Sequence, residues 1–132
     1  MVYDPERPGA KHRSGPWWLV VNIDENISTY YRWWANKNGL PIVKMSWPAH
    51  ITVLDGTVVP SNIMCWKKYE GQIIEYEYNN DIRSVGPYYY VKVTCPFLFD
   101  VREELGLKPY WPLHITIGRI KKEDLTNTKT NI

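Results

Sequence analysis

The chain has 132 residues, 44% of them apolar, and a formal net charge of +2. That length suits one compact domain with one core and leaves little room for a second. The small charge excludes a protein that coats long duplex nucleic acid, which needs a strong basic excess, and no run approaches the roughly 18 apolar residues of a membrane span.

Met1 to Pro16 is rich in Pro and Gly, carries the charged run Lys11-His12-Arg13 and has no hydrophobic period, which predicts a flexible N-terminal arm over 1–16. It lacks the apolar run of a signal segment, so a soluble, cytoplasmic protein is expected. Trp17 to Ile23 is a continuous apolar stretch with β-branched residues and predicts a buried strand. Asp24 and Asn26 are candidate caps of a following helix, in which Ile27, Tyr30, Tyr31 and Trp34 share one face, expected to lie on the sheet. Gly39 and Pro41 stop it.

Pro41 to Ser46 leads into a strand running through Leu54, with Pro48 at its beginning because proline has no N–H to give to a ladder. Asp55-Gly56 turns the chain, and Pro60-Ser61 opens a short predicted helix through Tyr69 that ends near Gly71. Gln72 to Tyr78 and Tyr88 to Thr94 are dense in β-formers, with Asn79-Asn80-Asp81 and Gly86-Pro87 between them, and predict an antiparallel pair. Pro96 suits the first turn of a helix whose Leu98, Val101 and Leu105 are spaced by three and four, with Gly106 as its cap. A last strand begins after Pro112, and 121–132 is a polar tail or a final short pairing.

Two of these strands begin with the same phrase. Trp47-Pro48-Ala49-His50-Ile51-Thr52 returns as Trp111-Pro112-Leu113-His114-Ile115-Thr116, with Lys44 and Lys108 ahead of it at one offset and β-branched Val53 and Ile117 behind it. If Ile51, Val53, Ile115 and Ile117 form a buried face, period-two alternation sends His50 with Thr52, and His114 with Thr116, to the other. Each strand then presents an imidazole beside a hydroxyl. Phosphodiester cleavage needs a base for the attacking oxygen, an acid for the leaving oxygen, and donors where charge develops on the phosphoryl group. Histidine suits both proton-transfer roles because its unperturbed pKa of about 6.5 keeps both forms present near neutrality. The plainer alternative is a structural repeat, in which each Trp-Pro fixes the start of a strand and each His bonds a carbonyl. Duplication of the whole phrase favours the functional reading.

The two His-x-Thr motifs resemble those of the 2H phosphoesterases, which share the fold of the bacterial LigT enzymes. The order of predicted elements is also similar to that family over 17–120. The resemblance implies an α+β fold: a bilobed, pseudo-twofold catalytic domain of antiparallel sheets flanked by helices around a central cleft. It implies a phosphodiesterase working without metal or other cofactor on 2′,3′-cyclic phosphates at RNA ends, 2′-5′ linkages or cyclic oligonucleotides. His50 and His114 would be the acid/base pair, and Thr52 and Thr116 the phosphate-binding hydroxyls. Some phage members resemble enzymes that destroy cyclic nucleotide alarm signals of host defence.

Seven Trp and ten Tyr are many for this size. Most are expected in the core, while Trp47, Trp111 and Tyr110 beside the motifs are candidates for stacking on a base. Lys44, Lys108 and Arg119 are candidates to neutralise phosphate, against the common alternative of solvated side chains. Neither motif contains a carboxylate, and two histidines alone do not make a usual catalytic metal site. Cys65 and Cys95 are expected as free thiols, and the protein as a monomer. His12 could close over the cleft, although a solvated basic leader is the simpler expectation. A non-catalytic nucleotide- or RNA-binding module would use the same aromatics and hydroxyls without turnover.

Overall fold

Antiparallel pairing dominates the architecture of the computed structural model, which describes residues 1–3, 17–56 and 58–120. Among these residues the strands are β1 (Val2–Tyr3), β2 (Trp18–Asn22), β3 (Ile42–Val43), β4 (His50–Asp55), β5 (Glu77–Tyr78), β6 (Arg83–Val85), β7 (Tyr88–Thr94) and β8 (His114–Ile120). Helices α1 (Glu25–Lys37) and α2 (Pro96–Glu104) complete an α+β fold. The sheet order is β1-β2-β4-β8-β7-β5, with β3 also on β8 and β6 also on β7. The repeat strands β4 and β8 are therefore central neighbours. Their registered pair is Ile51 opposite Ile115, the residues between His and Thr of each motif.

One face of the sheet carries the core. Leu19, Val21, Ile51, Val53, Val91, Ile115 and Ile117 cluster there with Tyr31 and Ala35 of α1, Leu98 and Val101 of α2 and its C-cap Leu105. Alternation is interrupted once in each repeat strand. Between β2 and β4 the register passes from Val20–Thr52 to Leu19–Leu54, leaving Val53 as an extra residue. Between β7 and β8 it passes from Tyr90–Thr116 to Tyr89–Gly118, leaving Ile117 as its counterpart. Such bulges turn two consecutive residues inward and sharpen the local twist, and Val53-Leu54 and Ile117-Gly118 are all buried.

The expected strands and both longer helices form, with differences that have local causes. In the 1–16 segment, Val2 and Tyr3 are β-formers that pair with β2, and Tyr3 is buried; 4–16 and 121–132 lie outside the described residues. Asp24 caps α1 by accepting from the Asn26 amide at 2.9 Å. The helix buries Ser28, Tyr31 and Ala35, whereas Tyr30 and Trp34 of the expected face stay largely exposed. Small residues let the helix approach the sheet closely, which bulky ring faces would prevent.

The helix expected from Pro60 to Tyr69 is reduced to a 3₁₀ turn over Ile63–Cys65. Lys67 takes a left-handed φ of 66°, and the segment spends its donors on α2: Asn62 N donates to Leu105 O and Asn62 Nδ2 to Glu104 O. Of the strand expected over Gln72 to Tyr78, Glu77–Tyr78 joins the ladder, pairing with β7 as anticipated, and an additional short strand β6 pairs with β7 across the Gly86-Pro87 turn. Cys65 and Cys95 are free thiols.

Tyr69 OH and Lys68 Nζ both donate to Glu104 Oε1, at 3.0 and 3.2 Å. The Tyr69 bond first, then the Lys68 bond, hold the Glu104 carboxyl below its ordinary pKa. A carboxylate with a depressed folded-state pKa stabilises the fold above its unfolded pKa and loses that effect as pH falls through the folded value. Glu104→Gln is thus expected to melt below wild type at neutral pH, and the gap should close in melts taken below the carboxylate range.

Candidate active site

His50 and Thr52 from β4 meet His114 and Thr116 from β8 in the lining of one cleft of about 520 Å³, within the usual size range of small-ligand sites. Their neighbours Ile51, Val53, Ile115 and Ile117 point into the core, so strand alternation alone directs all four polar side chains to the opposite face. The central pairing of β4 with β8 then makes two separate motifs into one site.

Both imidazoles are held the same way. His50 Nδ1 lies 2.8 Å from Pro48 O, and His114 Nδ1 lies 2.9 Å from Pro112 O. A carbonyl oxygen only accepts, so each ring must carry its hydrogen on Nδ1, and Nε2 is the nitrogen whose protonation can change. The motif prolines therefore do more than start a strand, since their carbonyls fix ring orientation and tautomer. Each histidine does bond a carbonyl, as the plainer reading of the repeat anticipated, and does so inside a shared cleft.

The surroundings of the two rings differ. Trp47 lies against His50 with centroids 4.1 Å apart and planes 33° from parallel. Tyr90 meets His114 edge-on at 5.3 Å. Arg119 of β8 is registered beside Tyr88 of the neighbouring β7, and both line the site.

Of the residues singled out by sequence for substrate contact, Trp47 and Arg119 line the cleft and the others do not. Trp111 is half-buried, packs on the core and covers the Arg102 guanidinium at 4.3 Å, with its indole nitrogen buried and unbonded. Tyr110 is 74% exposed beside Phe99. Lys44 and Lys108 are exposed, and the Lys108 carbonyl accepts from Arg102 Nε. Sequence reasoning passed over Tyr88, Tyr90, Val85, Met45 and Ser46, which complete the lining. Tyr88 and Tyr90 alternate with Tyr89 along β7, but only the β7–β8 register places Tyr90 beside Thr116 and Tyr88 beside Arg119.

Arg119 is the cation among the described lining residues, and no carboxylate joins it. Among the described residues no cluster of three His, Cys, Asp or Glu side chains is placed to hold a metal ion, and no helix is long and apolar enough to cross a membrane. Comparison of the chain with protein-family models, curated proteins and solved structures finds no match.

The two tryptophans of the repeat should separate in experiment. Trp111→Ala is expected to cost on the order of 2 kcal/mol in denaturant unfolding, below the ~3–5 kcal/mol of a fully buried aromatic because this ring is half-buried. Trp47→Ala, whose ring lies against His50 at the cleft, should cost less in the same measurement.

Proposed function

We propose that the protein is a metal-independent phosphodiesterase of the 2H type, with a bilobed, pseudo-twofold LigT-like arrangement, acting on a nucleotide phosphodiester. The observation that carries this reading is the pair of imidazoles, each fixed through Nδ1 by its own motif proline and each beside a threonine, in one cleft. Equivalent bulges at Val53 and Ile117 support the pseudo-symmetry.

In the proposed reaction the neutral Nε2 of one ring takes a proton from the attacking water or ribose hydroxyl, and the protonated Nε2 of the other donates to the departing oxygen. Thr52 and Thr116 donate to the non-bridging oxygens, and Arg119 offsets phosphate charge. Neither ring is assigned a fixed role, because a near-symmetric cleft accepts a scissile bond in either direction. Trp47, Tyr88 and Tyr90 offer aromatic surface to a base. The candidate substrates are 2′,3′-cyclic phosphates at RNA ends, 2′-5′ linkages and cyclic oligonucleotides, the last including defence signals; such substrates go with a cytoplasmic, monomeric protein.

The test is incubation, in excess chelator, with 2′,3′-cyclic nucleotides, 2′-5′ oligoadenylates and cyclic di- and trinucleotides, followed by product mass. Cleavage of at least one class is expected, with a bell-shaped pH profile. His50→Ala and His114→Ala should each lose about 10²–10⁴-fold in turnover. Full turnover by either variant, or dependence on added metal, would overturn the proposal; tight binding with every ligand recovered intact would replace it with a nucleotide-binding module.

A further inference from the structure

Each repeat strand bulges immediately after its motif threonine, and a bulge takes the carbonyl of its extra residue out of the ladder. A buried carbonyl needs a donor from elsewhere. Both are supplied by arginine: Arg102 Nη1 donates to Val53 O at 2.6 Å, and Arg32 Nη1 donates to Ile117 O at 2.8 Å. Val53 and Ile117 hold equivalent places in the repeat. The connections are crossed, because Arg32 lies on α1, which precedes β4 in the chain, yet reaches β8, while Arg102 lies on α2, which precedes β8, yet reaches β4.

Both routes are built into the surrounding packing. Arg102 is 5% exposed, with Nε bonded to Lys108 O and the Trp111 ring over its guanidinium. Arg32 runs past Gly118, where a Cβ would crowd the arginine stem, Ile42 and the Val43 carbonyl. Arg32 is half-buried and also donates from Nη2 to Thr29 Oγ1 at 3.2 Å; for buried Arg102, a desolvated guanidinium is a poor source of net stability compared with an apolar side chain of similar volume. What it provides is direction, because a planar fork of donors fixes the backbone it grips.

We propose that Arg32 and Arg102 are positioning residues, each clamping the bulge of the opposite half and so setting the local twist that aims His114-Thr116 and His50-Thr52 at a common point. The effect on rate rests on the reading of the site as a phosphodiesterase; the effect on side-chain position does not. Displacing a catalytic group by even about 1 Å can cost about 100-fold in turnover.

The experiment uses the full chain with labelled histidine rings and threonine methyls, observed by NMR alongside kcat and KM on whichever phosphodiester the wild type cleaves. Arg32→Gln should remain folded, shift the His114 and Thr116 signals more than those of His50 and Thr52, and lower kcat by about 10- to 100-fold with KM nearly unchanged. Arg32→Lys, which keeps a donor for Ile117 O, should recover most of that loss. Arg102→Gln should give the opposite pattern, moving His50 and Thr52 more. The proposal is overturned if folded Arg32→Gln moves His50 as much as His114, or moves neither and leaves kcat within about twofold of wild type despite a lower Tm. Should Arg102→Gln fail to fold, the Arg32 pair alone decides. An inactive wild type would sink the enzymatic reading, while the crossed shift pattern would still decide this one.

Discussion

Everything at the site depends on the lateral pairing of β4 with β8 at Ile51 and Ile115. Those isoleucines are fully buried, and each stands between the histidine and threonine of its motif. Fixing them side by side in an antiparallel sheet places the four polar side chains on one face. Without that contact the motifs are two unrelated strand surfaces. With it, two imidazoles and two hydroxyls line one cleft.

The likeness of the two motifs stops at the first ring of neighbours. Both rings share the Nδ1-to-proline contact, but Trp47 turns toward His50 while Trp111, its counterpart in the repeat, turns inward over Arg102. Tyr90 of β7 stands on the His114 side instead. One half of the cleft thus presents an indole and the other a pair of tyrosines with Arg119. The two imidazoles share one backbone contact but stand against unequal walls.

The central strands and the inward and outward faces of the motifs were legible because a two-residue period needs only local information. Helix α2 was legible for the same reason, with Pro96 at its start, Leu98, Val101 and Leu105 buried, and Gly106 beyond its end at a φ of 78°. Elements decided by what arrives from elsewhere were not. The segment after Pro60 reads as a helix in isolation, yet its polar groups are drawn to the carbonyl end of α2. On α1 the large rings suggest the packed face, but Ser28 and Ala35 allow the closer approach, and Trp33 remains 56% exposed. Identical Trp-Pro phrases met different fates because a guanidinium waits beside one of them. Nor could the spacing of Arg32 and Arg102, which do not share the offset of the motifs, reveal that both reach equivalent carbonyls.

The central claim is that both imidazoles address a single phosphate. Its most direct measurement is a titration of the protein with adenosine 3′-monophosphate, following the ring signals of His50 and His114 together. The account predicts that both rings respond along one saturation curve, with one dissociation constant and one ligand bound per chain. Separate curves for the two rings, or movement of only one of them at saturation, would contradict it.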